Sequence, residues 1–127
     1  MKNIYYPAIF HPEETGFSVI VPDIEGCCTQ GDNMEEAIEM TQDAIGLLLE
    51  DTETLPVPSA PHTLDIEEGD RIVYIPFSMI EYKRRNDTRS VKKTLSLPYW
   101  LNEAAESAHL NFSGVLQEAL KDKLGLQ

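Results

Sequence analysis

Cysteine is nearly absent from this 127-residue chain, and the only two, Cys27 and Cys28, are neighbours. Adjacent cysteines seldom pair because the bond strains the backbone, so no disulfide framework is expected. With no third and fourth ligand nearby they do not read as a metal site, and packing on a strand as small hydrophobes is the simpler role. Long apolar runs are also missing. Nothing approaches the roughly 18 residues needed to span a bilayer, and the opening Met-Lys-Asn-Ile-Tyr-Tyr-Pro lacks the uninterrupted apolar stretch of a signal peptide. The expectation is a cytoplasmic protein with no membrane partner.

Basic residues are scarce in one half. Residues 1–70 hold sixteen Asp and Glu against Lys2 alone, a net of −15, while residues 71–127 hold six acids and nine bases, a net of +3. This asymmetry predicts two partners of opposite sign, a basic one for the acidic half and a polyanion for the basic part. Catalytic constellations are missing as well. A metal-dependent nuclease needs carboxylates clustered on adjacent strands, yet Ile4–Phe10 and Phe17–Val21 carry no acid, and Asp23 and Glu25 fall in a turn. His11, His62 and His109 are scattered, with no nucleophile motif, Gly-rich phosphate loop or H-E-x-x-H. The chain is expected not to be an enzyme and to need no cofactor or metal.

What is present begins with strand patterns. Ile4–Phe10 alternates, with Tyr6, Ala8 and Phe10 on one face, and Pro7 within it suggests an edge position or a strand end. A turn at residues 11–16 leads to a second strand, Phe17–Val21, and Cys27–Gln30 is a short third. Asp32 or Asn33 then caps a helix to about Glu50, each with a Glu three residues on. Met34, Ala37, Ile38, Thr41, Ala44, Ile45 and Leu48 form its apolar stripe, and Glu35, Glu36, Glu39, Gln42, Asp43 and Glu50 its acidic face. Residues 53–70 form a proline-rich connector, and Arg71–Phe77 is a fourth strand. The fold class is α+β, with a β-β-β-α-β domain over residues 1–79.

Residues 80–90 read as a basic linker, and residues 83–93 carry six bases against one acid. Position at the entry to the next element makes phosphate contact the reading for this run. Val91–Leu97 alternates again, with Val91, Lys93, Leu95 and Leu97 facing one way and Lys92, Thr94 and Ser96 the other. Pro98 suits a helix start, and Leu101, Ala104, Ala105 and Ala108 recur at helical spacing. Asn111 or Ser113 caps a second helix whose stripe is Phe112, Val115, Leu116, Ala119, Leu120 and Leu124. A strand and two short helices cannot bury enough surface to stand alone, so residues 91–127 should form a homodimer, with further association left open.

The string KKTLSLPYWLNEAAESAHLNFSGVLQEAL resembles the ribbon-helix-helix family of DNA-binding dimers. That resemblance implies a two-stranded ribbon that places Lys92, Thr94 and Ser96 in the major groove of operator double-stranded DNA. Lys93, on the opposite face, would snorkel to the ribbon's edge. Asn111, Ser113 and the helix-start amides, with Arg89, would meet phosphates.

Tyr6-Pro7-Ala8-Ile9-Phe10, Gly16-Phe17-Ser18-Val19, Val21-Pro22-Asp23-Ile24-Glu25-Gly26-Cys27, Gln30-Gly31-Asp32 and Glu35-Glu36-Ala37 together resemble the HicB family of antitoxins. Membership would imply that the N-terminal domain is a reduced ribonuclease-H-like fold. Its partner would be a HicA-type toxin, a small basic ribonuclease that cuts messenger RNA. The acidic half, at Asp23, Glu25, Glu35, Glu36 and Glu39, would cover that toxin, and the ribbon would repress the operon. A domain of net −15 can compete with RNA for a basic surface. The alternative is a stand-alone ribbon-helix-helix regulator whose N-terminal domain senses a small ligand.

Overall fold

The structure, a computed structural model, describes residues 3–126. It divides into two units between Thr88 and Arg89. In the first, strands β1 (Ile4–Pro12), β2 (Phe17–Ile20), β3 (Cys28–Gly31) and β4 (Arg71–Phe77) form an antiparallel sheet in the order β3-β2-β1-β4. Helix α1 (Met34–Leu49) covers one face. Alternation decides which side chains meet it: Tyr6, Ala8, Phe10, Val19, Ile75 and Phe77 are buried, whereas Tyr5, Ile20, Cys28 and Tyr74 lie on the open face. The Phe10 and Phe17 rings, 5.8 Å apart, close the core at the hairpin.

Pro7 does not mark an edge strand, since β1 lies between β2 and β4. The register explains why it is tolerated. Ile9 pairs with Ile20, the last residue of β2, so at Pro7 the first strand has already run past its neighbour on that side. Pro7 pairs with Tyr74 and Pro76 with Tyr5, two rungs of the same class. An intact ladder needs no donor from either proline if both belong to the non-hydrogen-bonded pairs, whose backbone polar groups point away from the partner strand.

Asn33, not Asp32, caps α1, its Oδ1 accepting from the Glu36 amide at 2.8 Å. The buried side of α1 is Ala37, Thr41, Ile45, Gly46 and Leu49, with Ile38 and Ala44 packed beside it. Met34 and Leu48, expected in the stripe, are 37% and 42% exposed. The stripe is rotated because a second helix, which the sequence reading missed, packs on the same element. Residues 79–86, taken as mostly linker, form helix α2 (Met79–Asn86). Ser78 caps it by accepting from the Glu81 amide, and the buried Tyr82 ring lies against Gly46 of α1 and 6.4 Å from Phe77. Arg85 pairs with Asp43 of α1 at 2.6 Å.

The proline-rich connector is a pinned strap with one 3-10 turn, Pro61–Thr63. Tyr6 donates its hydroxyl to the Pro56 carbonyl at 2.7 Å, and Leu55 packs on the core. Cys27 is buried and Cys28 exposed; burial first, and the neighbouring Cys28 second, push the Cys27 thiol up to about 11. A thiol reagent should therefore label one cysteine per native chain quickly and the second only on unfolding. Two equally fast thiols would contradict this placement.

The second unit contains helices α3 (Tyr99–Ser107) and α4 (Phe112–Leu124). Between them the amides of His109 and Leu110 donate to the carbonyls of Glu106 and Ala105, and His109 takes a left-handed φ of 56°. This is the backbone pattern that ends a helix at a residue usually glycine, so His109 has a structural place in the turn. Among the described residues, Val91–Leu97 pairs with no other strand. An isolated alternating segment has no strand to pair with inside one copy.

Candidate functional site

The residues expected to meet partners lie on two surfaces, one in each unit. On the first, the N-cap at Asn33 directs Glu35 and Glu36 into the opening turn of α1, where acids suit the positive end of the helix. Glu36, Glu39 and Glu50 lie on its solvent side with Met40 and Leu47, the latter 65% exposed. Acidic and apolar groups thus share one outward face. Glu25 is exposed in the turn after β2, but Asp23 is half-buried and already occupied. Its carboxylate accepts from the Ser59 amide at 2.8 Å and from the Ser59 hydroxyl, holding the strap. Of the five acids expected to face a partner, four are exposed and Asp23 has an internal task.

In the second unit Lys92, Lys93, Thr94 and Ser96 are all exposed on the segment before α3, and Arg89 precedes them. Asn111 caps α4, its Oδ1 accepting from the Gly114 amide at 3.2 Å. Ser113 lies inside the first turn, its hydroxyl accepting from Gln117 Nε2 at 3.1 Å. The helix start therefore combines capped amides with an exposed hydroxyl. No residue of α3 or α4 is buried. Leu95, Leu97, Leu101, Phe112, Val115, Leu116, Leu120 and Leu124 are all exposed to solvent.

Sequence reading left His11 as a lone residue, but the fold brings it to Asp70, 59 positions away. Phe10 pairs with Arg71, so the next rung outward sets His11 beside Asp70. Their Nδ1 and Oδ1 are 2.5 Å apart. The hydrogen bond to Asp70 raises the His11 pKa, aided by Glu13 and Glu67, and the same bond lowers that of Asp70. Nothing local in the sequence marks this pair. A partly open cleft at the junction of β4, α1 and α2 is lined by Gln42, Pro76, Ser78, Glu81, Tyr82 and Arg85. Gln42 already donates to the Pro76 carbonyl there at 2.9 Å, and Arg85 is held by Asp43. Among the described residues no helix is long and apolar enough to cross a membrane.

Comparison with known proteins places these surfaces in context. The profile of a family described as HicB_like antitoxin of bacterial toxin-antitoxin system matches residues 6–119. Antitoxin HicB 2 of Photorhabdus laumondii subsp. laumondii is 38% identical over 82 residues, covering 61% of this chain and 54% of that protein. Antitoxin HicB 1 of the same organism is 44% identical over 63 residues, covering 46% of this chain and 41% of that protein. The matched stretch thus spans about half the length of these curated relatives. Among solved structures, a chain from a toxin-antitoxin complex of Streptococcus pneumoniae superposes with a TM-score of 0.57 at 26% identity. The match covers 95% of this chain and 99% of that one.

Proposed function

Because the chain belongs to the HicB-like antitoxins of bacterial toxin-antitoxin systems, we propose that it neutralises a HicA-type ribonuclease toxin and represses its own operon as a DNA-bound dimer. On this reading the β-β-β-α-β unit is a reduced ribonuclease-H-like fold that binds the toxin. Residues 91–127 are then a ribbon-helix-helix module, and no catalysis is required of either. The observation that carries the reading is the contrast between the units. The first has a closed core and an acidic exterior, while the second buries no residue of its two helices. A stripe of large apolar side chains left open in one copy is what an isologous dimer closes. In that dimer Val91–Leu97 would gain its pairing strand from the second copy.

The solved relative comes from a toxin-antitoxin complex, which supports a protein partner for this chain too. A toxin that holds RNA phosphates must be basic, and the exposed Glu25, Glu35, Glu36 and Glu39 offer it the opposite charge. The ligand-sensing alternative has less support, since the cleft it would use is open and its polar side chains Gln42 and Arg85 already have partners. The test is the association rate with the product of a short basic reading frame next to this gene. Binding should be fast at low salt and slow as salt rises, because exposed charges are screened beyond about 8 Å at physiological ionic strength. A rate indifferent to salt would remove electrostatic recognition from the proposal. Absence of any binding would remove the toxin.

A further inference from the structure

We propose that His11, Glu67 and Asp70 form a binding site for a divalent cation of the zinc class. The three side chains come from the end of β1 and the turn that leads into β4, and one ligand atom from each lies within 4.8 Å of the other two. The turn is built to aim Asp70. Gly69 takes a φ of 89°, the Asp70 amide donates to the Glu67 carbonyl at 3.1 Å, and Asp70 Oδ2 accepts from the Glu67 amide at 3.0 Å. That leaves Oδ1 directed at His11 Nδ1. The Asp70 side chain is 8% exposed and that of His11 45%, so one ligand is fixed in the protein wall while the site stays open to solvent.

The chemistry of the donor set selects the ion. Magnesium and calcium prefer all-oxygen shells, whereas an imidazole nitrogen beside carboxylates suits zinc and its neighbours. Zinc holds nitrogen and oxygen ligands at about 2.0–2.2 Å in a tetrahedron. Its ligand atoms therefore sit a little over 3 Å apart, so the His11–Asp70 gap must open by less than about 1 Å. The proton now between them passes to water, the ion takes its place, and water fills the remaining position. Glu13, close enough to act on His11, adds a third negative charge around the site. A divalent cation would offset charge that a single histidine proton balances only in part. It would tie the end of β1 to the start of β4, independently of toxin or DNA binding.

The experiment is a titration of the full chain with zinc chloride, followed by calorimetry and by thermal unfolding, with His11→Ala and Glu67→Gln alongside. Glu67 is exposed and its carboxamide is nearly isosteric, so that variant tests the site even if removal of His11 perturbs the fold. The expected result is one saturable site and a midpoint raised by a few degrees, reversed by chelator, with affinity lowered about tenfold or more in both variants. Zinc binding at wild-type strength by both variants would overturn the proposal and move the ion to other groups. So would a chain that shows no saturable zinc binding, or an equal shift with magnesium.

Discussion

Replacing Gly31 by alanine should destabilise the first unit by about 3 kcal/mol, at the upper end of what overpacking usually costs. A Cβ there would lie 2.4 Å from the Ala37 amide nitrogen, 2.5 Å from its Cα and 2.8 Å from the Glu36 carbonyl carbon. All three are backbone atoms of the first turns of α1, so no rotamer change relieves the contact. Moving the helix instead would shift Ala37, Thr41 and Ile45, each fully buried. Gly26→Ala is the control. Gly26 has a φ of 76° but nothing within 4 Å of its Cβ position, so its cost should be the left-handed strain alone, roughly 1–2 kcal/mol. Urea unfolding of the two variants would rank them, and a Gly31→Ala protein as stable as Gly26→Ala would show that β3 does not press on α1.

The second large effect concerns DNA. The Lys92→Ala, Thr94→Ala double variant should lose most of its preference for its own operator over random DNA while remaining dimeric. On the proposed ribbon, lysine reaches guanine acceptors and threonine bonds to base edges, and loss of a good base contact costs about 1–3 kcal/mol of discrimination. Arg89→Ala should instead weaken binding to both DNAs alike and flatten the salt dependence, because a phosphate contact carries no sequence information. Gel-shift measurements over a range of salt separate the two patterns. If the double variant bound operator like the unchanged chain, Lys92 and Thr94 would not be groove readers, and the second unit would be a dimer clamp only.

How much of this was legible in the sequence depended on how far apart the interacting residues lie. Alternation put Tyr6, Ala8 and Phe10 on one face of the first strand, and the run Arg71–Phe77 marked another strand. Asp32 or Asn33, each with a Glu three residues on, marked the start of α1, where Asn33 is the cap. Helix α2 was missed because Lys83-Arg84-Arg85 reads as a basic linker suited to phosphate contact. Its signal was Ser78 followed three residues later by Glu81, a capping pattern overlooked beside so strong a charge run. Once α2 is known, Gly46 explains itself as the position that admits the Tyr82 ring. The contacts of Asp23 with Ser59 and of His11 with Asp70 span 36 and 59 residues. Only strand register and the path of the strap bring them together, so no local pattern could reveal that Asp23 was spoken for. Val91–Leu97 is the reverse case, an alternating pattern that pairs with no strand among the described residues.

The proline at the outer rung of the β1–β4 pair also bears on whether one copy can add its strands to the sheet of another. A sheet's outermost strand is a template on which another chain can zip, and long apolar edges invite aggregation. Here β4 is such a strand, and it is as apolar as any in the molecule, Ile72-Val73-Tyr74-Ile75-Pro76-Phe77. Pro76 has no N–H to offer, and its carbonyl is already taken by Gln42 of α1. An incoming strand would find this rung blocked for both of its bonds, with Arg71 placing a charge at the other end. At the opposite edge β3 is only four residues long and ends against the helix at Gly31. Both edges of the sheet therefore resist edge-to-edge pairing between copies of the chain.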